Sequence, residues 1–139
     1  MCKCADYTIH SAHCHHGWDH SIPPAQTVAP GTTIEFECVD SAAGQFNENS
    51  TVADVTALDF SKINPVTGPV FIDGAEPGDA VKITLEGFKP SGFGWTANIP
   101  GFGLLADQFE DPALHIWKYD PDTLAPSLFS KYGKVPLKP

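Results

Sequence analysis

Thirteen prolines and twelve glycines are spread through 139 residues, and that density leaves no room for long helices. Proline lacks the amide N–H that a helix interior requires and fixes its own φ, while glycine loses the most backbone freedom when it is ordered. What remains is a chain of short extended segments joined by turns. Thr33-Ile34-Glu35-Phe36-Glu37-Cys38 alternates with period two, which places Ile34, Phe36 and Cys38 on one buried face and Glu35 and Glu37 in water. Val81-Lys82-Ile83-Thr84-Leu85-Glu86 alternates in the same way, and Val70-Phe71-Ile72 is a continuous apolar run suited to a strand covered on both faces. Trp117 and Tyr119, flanking Lys118, mark a further strand closed by Asp120-Pro121. Pro30-Gly31 and Pro77-Gly78 each precede an alternating strand, with proline presetting φ at the first central turn position and glycine supplying φ > 0 at the second. Helix is confined to short turns, one capped by Ser50 and running through Leu58 with Val52 and Val55 three apart, another over Leu104 to Phe109. The expected fold class is therefore mainly β, a barrel- or sandwich-like β core with short helices.

A chain of this length buries roughly two-thirds of its unfolded surface as one domain. Residues 1–24 are polar and histidine-rich and end in Pro23-Pro24, so they read as an N-terminal arm, with a β-rich domain over 25–139. The formal charge is -9, and the cations are all lysine. Phosphate neutralisation needs clustered Lys and Arg, so nucleic acid is excluded as a partner. Without arginine there is no bidentate clamp for a carboxylate or phosphate, which favours an uncharged ligand. No apolar run reaches signal-peptide or membrane-span length, so the expected setting is the cytoplasm with no membrane partner. Cys2, Cys4, Cys14 and Cys38 are then expected to be reduced thiols.

Several side chains carry chemistry. His10, His13, His15, His16 and His20, with Cys14 and Asp19 among them, are ligand types for zinc, but their spacing matches no standard finger. A solvated arm is the competing reading, since His15 and His16 cannot both face one metal in regular β geometry. Asp40 stands at the end of a strand, with Gln45 beyond it in a loop of small residues, where a rigid strand can hold functional groups. An Asx-type turn explains Asp40 equally well. Pro100-Gly101-Phe102-Gly103 leads into a helical turn and could offer backbone N–H groups to an oxyanion, or be a plain turn. Trp18, Trp95 and Phe102 are available to wall an apolar pocket. No Gly-x-Ser-x-Gly elbow is present. Cys38 is expected on the inner face of its strand, and neither it nor Cys14 is taken as a nucleophile.

The longest motif is Asn64-Pro-Val-Thr-Gly-Pro-Val-Phe-Ile-Asp-Gly-Ala-Glu-Pro-Gly-Asp-Ala-Val-Lys-Ile83. Before it stand His15-His16-Gly17-Trp18-Asp19, Ser21-Ile22-Pro23-Pro24, Val39-Asp40, Gly44-Gln45 and Ala57-Leu58-Asp59-Phe60; after it comes Asn98-Ile-Pro-Gly-Phe-Gly-Leu-Leu105. This ordered set resembles the acetamidase/formamidase family from about His13 onward. The resemblance implies an amidase that hydrolyses small linear amides, formamide or acetamide, to ammonia and a carboxylate. It implies assistance from a divalent metal, zinc or else calcium, held by His15 and His16. Asp40 and Gln45 become candidate catalytic residues, and Trp18, Asp19, Gly101, Phe102 and Gly103 candidate substrate-binding residues. Some relatives have Ser-Asp-Gln where this chain has Ala43-Gly44-Gln45, so one carboxylate is lost here. Family members are much longer, with a His-, Asp-, Gly- and Glu-rich segment downstream, and they run on without a break where Pro139 stands. The chain is thus expected to be the truncated N-terminal part of a larger β-rich amidase fold. It would be inactive alone, working as a homo-oligomer or with a C-terminal fragment. The competing expectation is a non-catalytic β-rich subunit or remnant, or a passive metal-binding module.

Overall fold

The computed structural model describes residues 4–137; Cys2, Lys138 and Pro139 lie outside them. The strands are short, and each is paired with one partner. They are β1 (Tyr7–Ile9), β2 (Cys14–His15), β3 (Gln26–Val28), β4 (Ile34–Phe36), β5 (Val66–Thr67), β6 (Val70–Ile72), β7 (Phe93–Asn98), β8 (Ala113–Lys118), β9 (Ser127–Phe129) and β10 (Gly133–Val135), with one helix, α1 (Val52–Thr56), between β4 and β5. Among the described residues they form five two-stranded ladders. The mainly β expectation with short helices stands. No helix among the described residues is long and apolar enough to cross a membrane.

The chain divides into two compact units. The first joins the N-terminal residues through Gly44 to Phe60–Gly87. In it β1 pairs parallel with β4, so that Ile9 lies opposite Phe36, and β3 pairs parallel with β6, Val28 opposite Ile72. The antiparallel pair of β2 and β5 sets His15 opposite Val66. The histidine-rich segment thus contributes two paired strands. Its core is Ile9, Val28 and Ala42. Both Pro-Gly turns close as the residues dictate. Thr32 N donates to Ala29 O with Gly31 at φ +88, and Asp79 N donates to Glu76 O with Gly78 at φ +104.

The second unit is Gln45–Asp59 with Phe88 onward. Its frame is the six-residue antiparallel hairpin of β7 and β8, in which Trp95 lies opposite Ile116 and Thr96 opposite His115. Trp117 Nε1 donates to Thr96 Oγ1 across the pair at 2.9 Å. Phe46 packs edge-on to Trp95 with centroids 4.7 Å apart, so core packing accounts for part of that tryptophan's surface. Phe129 stacks on Trp117. Thr51 rather than Ser50 is the N-cap of α1: Asp54 Oδ2 accepts from Thr51 N at 2.6 Å, and Ser50 Oγ instead accepts from Asn47 N. The stretch after Leu104 is a hydrogen-bonded turn rather than a helix.

Three expectations fail in an informative way. Phe36 and Cys38 are exposed rather than buried, and Phe71 of β6 is 50 % exposed, so neither strand is covered as its pattern asks. No strand forms between Ile72 and Phe93. The alternating run through Val81, Ile83 and Leu85 crosses 79–91 with no turn, bend or ladder, and its side chains are exposed. Alternation reports an amphipathic strand, and it is silent on whether a second strand is at hand.

The surface follows from this. The chain exposes 10490 Å². Two wholly separate compact bodies, each of half the 14.9 kDa mass, would together expose about 8,500 Å². Buried apolar contacts are therefore few, and each counts. Val55 on α1 is 2 % exposed. Val55→Ala should lower unfolding free energy by about 2 kcal/mol, whereas Val52→Ala, at a half-exposed position, should cost less than about 0.5 kcal/mol, both read from urea unfolding.

Candidate functional site

His15 lies on β2 and His16 follows it. Each ring is tied through one nitrogen to a backbone carbonyl: His15 Nδ1 to Gly17 O at 3.0 Å, and His16 Nε2 to Lys62 O at 2.9 Å. A carbonyl accepts only, so each of those nitrogens carries the proton and donates. That fixes the tautomer and leaves His15 Nε2 and His16 Nδ1 as the lone-pair nitrogens, which is how a metal-binding imidazole is usually oriented. The two nevertheless hold to different segments, and among the described residues no three His, Cys, Asp or Glu side chains are grouped to hold an ion. His13 ends a short 3-10 turn, and its carbonyl accepts from Gly68 N. His10 Nδ1 lies 3.1 Å from Glu37 Oε1, and Glu37 Oε2 accepts from Ser11 N. The Ser11 amide first, and His10 second, hold the Glu37 carboxyl below its ordinary range.

Trp18 is 89 % exposed. Asp19 turns the chain: its Oδ1 accepts from Ser21 N at 2.8 Å, and that amide holds its carboxyl below the ordinary range. Asp40 closes the loop after β4, with Oδ1 accepting from Ala42 N and Oδ2 from Gly44 N, each at 2.9 Å. This is the Asx-turn geometry that the sequence offered as one of two readings. Inside it Ala43 is held at φ 55, a conformation that favours glycine.

One short segment ties these pieces together within the first unit. Lys62 O receives His16, and two residues on Asn64 N donates to Ser41 O of the Asp40 loop at 2.8 Å. Asn64 stands at φ 53, a left-handed position that asparagine tolerates better than most residues. The Lys62–Asn64 segment therefore holds the His16 ring through the Lys62 carbonyl and the Asp40 loop through the Asn64 amide.

Gln45 and the glycine loop belong to the second unit. Gln45 Oε1 accepts from Asp59 N at 2.8 Å and its Nε2 donates to Asp59 O at 3.2 Å, so the side-chain amide closes 45–59 onto itself. Pro100-Gly101 forms a turn in which Phe102 N donates to Ile99 O, with Gly101 at φ 75 and Gly103 at φ 106. Asn98 Nδ2 donates to both Phe109 O and Asp111 O, pinning this loop to the end of β7. Phe102 is 61 % exposed. An apolar groove of about 420 Å³ in this unit is lined by Phe93, Trp95, Trp117, Tyr119 and Leu124 among others. Of the three aromatics expected to wall a pocket, Trp95 does so. His115, two residues before Trp117 on β8, was not among the sequence candidates. Its Nε2 is buried without a partner among the described residues, beside Trp117 and Phe129.

The arrangement so far is a scaffold with donors, and comparison with known proteins supplies the chemical class. Residues 5–127 match the model of the Acetamidase/Formamidase family. The acetamidase of Mycolicibacterium smegmatis is 31 % identical over 118 residues, covering 76 % of this chain and 29 % of that protein. The formamidase of Methylophilus methylotrophus is 31 % identical over 111 residues, with 76 % and 27 % covered. A solved predicted acetamidase/formamidase from Thermoanaerobacter tengcongensis superposes with a TM-score of 0.82 at 24 % identity, over 95 % of this chain and 42 % of that one. The chain belongs to the acetamidase/formamidase family, and it spans less than a third of the length of the curated relatives it matches.

The Asp40 loop yields a direct test. Asp40→Ala removes the acceptor for two backbone amides and should lower unfolding free energy by about 1–2 kcal/mol in urea titration. An unchanged midpoint would show that the carboxylate does not hold this loop.

Proposed function

We propose that this member of the acetamidase/formamidase family forms part of a hydrolase of small linear amides, with water and formamide or acetamide giving ammonia and the carboxylate. The observation that carries this reading is the family match over 5–127. Absence of arginine agrees with it, since an uncharged amide needs no guanidinium clamp. Amide hydrolysis requires an activated water, donors for the tetrahedral oxyanion and an acid for the departing nitrogen. In this reading Asp40 and Gln45 serve the water and the amide, once released from the backbone groups they now hold. Trp18 and Asp19 in the first unit, and the Gly101-Phe102-Gly103 turn in the second, are each taken separately as candidate substrate contacts.

The metal belongs to the same proposal with one restriction. His15 Nε2 and His16 Nδ1 suit zinc, and calcium is disfavoured because it takes oxygen ligands. A catalytic zinc requires three protein ligands, and the described residues do not assemble three. The present residues therefore do not make a complete metal site, and no step is routed through one. A reducing, cytoplasmic setting suits Cys4, Cys14 and Cys38, which are free thiols.

A second reading is a β-rich subunit without activity of its own. It is favoured by the exposed surface and by the run at 79–91, which forms no ladder among the described residues. Ammonia release from formamide and acetamide separates the two. The 139-residue chain, with and without zinc, would be compared with the same chain joined to the remaining portion of the Mycolicibacterium smegmatis acetamidase. Release by the joined protein alone is the expected result. Release by neither would remove the hydrolase reading, and release by the chain alone would place a full catalytic set within it.

A further inference from the structure

Two of the free thiols are tied to one threonine. Cys14 of β2 lies opposite Thr67 of β5, and its Sγ is 3.6 Å from Thr67 Oγ1. That hydroxyl donates to Glu37 O at 2.9 Å, and the Glu37 carbonyl belongs to the peptide unit that leads to Cys38. The Cys14 sulfur is therefore within about 6.5 Å of the oxygen of that peptide unit. Three further contacts clamp Glu37 against the segment running up to Cys14: Glu37 N donates to Ile9 O, Ser11 N donates to Glu37 Oε2, and His10 Nδ1 lies 3.1 Å from Glu37 Oε1. All of them fall inside the first unit. The two thiols are not equivalent. A hydroxyl has one proton, and that of Thr67 goes to Glu37 O, so toward Cys14 it only accepts. Cys14 is the donor in that contact and is half-buried, and it can attack another sulfur only after leaving Thr67. Cys38 is exposed and stands beyond the end of β4.

We propose that Cys38 and Cys14 form a reversible thiol–disulfide pair, in which a low-molecular-weight disulfide modifies Cys38 first and Cys14 resolves the product. The Cys38 thiolate attacks one sulfur of the small disulfide, a new S–S bond forms, and the other half leaves as a thiolate that takes up a proton. The Cys14 side chain then turns from Thr67, gives its proton to water and attacks the Cys38 sulfur. The Cys14–Cys38 bond forms and the second half leaves as a small thiol. Two protein thiols are oxidised and one small disulfide is reduced to two small thiols, so protons and electrons balance. Disulfide geometry requires the two Cα atoms within about 7 Å, and residue 38, outside any ladder, is the one that shifts toward β2. The bridge would join the residue before His15 to a point two residues before Asp40. Neither thiol serves in the proposed amide chemistry, so the pair stands or falls apart from it.

Equilibration of the folded 139-residue protein with mixtures of reduced and oxidised glutathione tests this pairing. After acid quenching and alkylation, cleavage before Asp6, Asp19 and Asp40 places Cys2 and Cys4 in peptide 1–5, Cys14 in 6–18 and Cys38 in 19–39. The expected product is 6–18 linked to 19–39. Because two small thiols are released for each small disulfide consumed, doubling total glutathione at a fixed ratio should halve the ratio of linked to reduced protein; a mixed disulfide would not respond. Cys14→Ser should leave glutathione on Cys38, and Cys38→Ser should leave Cys14 unmodified in the same mixture. In urea the 6–18 to 19–39 link should fall to one among several pairings. Absence of that link at every mixture overturns the proposal. So does glutathione that stays on Cys38 with Cys14 present, a link from Cys38 to 1–5 instead, or a yield that urea leaves unchanged.

Discussion

Backbone pairing is the constraint on which everything else in this molecule depends. Every strand needs a neighbour for its N–H and C=O groups, and among the described residues each strand finds a single one, giving five ladders of two strands. An isolated two-stranded ladder is marginal in water. Additional ties therefore come from side chains reaching backbone: Glu37 to Ser11, Asp40 to Ala42 and Gly44, Gln45 to Asp59, and Asn98 to Phe109 and Asp111. Hydrophobic burial is modest, with Ile9, Val28 and Ala42 in one unit and Phe46 and Val55 in the other. In such a chain polar residues act as fasteners, and substitution of one costs a loop rather than a contact.

Turn chemistry was the most legible part of the sequence, because φ preferences act locally. Pro30-Gly31 and Pro77-Gly78 close as their residues require. Strands at 34–36 and 70–72 were readable from alternation or apolar runs, and of β8 only its end at Trp117–Lys118 was. β7 was not, since Phe93-Gly-Trp-Thr-Ala-Asn mixes a glycine and an alanine into a weak pattern, and its pairing with β8 spans a long loop. The opposite error occurred at 81–86, where the pattern is strong and no ladder exists. Periodicity describes the strand's own two faces; pairing depends on a second segment that the pattern does not contain. The same reasoning covers Phe36 and Cys38, which are exposed on the face their pattern assigns to the core.

The family was legible because its motifs occur in order along the chain, and the match over 5–127 agrees. Chemistry was less so. Residues that resemble catalytic groups hold backbone: the Asp40 carboxylate caps its own loop, and the Gln45 amide is engaged at both ends by Asp59. His15 and His16 are oriented as ligands one at a time, by Gly17 O and Lys62 O, without converging as a set. Asn64, part of a recognition signal in sequence, acts in the structure as a clip for the Asp40 loop, while Lys62 two residues before it holds His16. Backbone roles of this kind leave no trace in residue type, so the sequence alone could not separate them from catalysis.

The measurement that tests this account most directly is amide hydrogen exchange across Val81–Glu86 in protein dilute enough to be a single chain. An unpaired run should exchange close to the free-peptide rate while the amides of β7 and β8 remain protected. Slow exchange at 81–86 in that single chain would mean that the strand finds its partner internally, and the description of the fold and its open edge would both be contradicted.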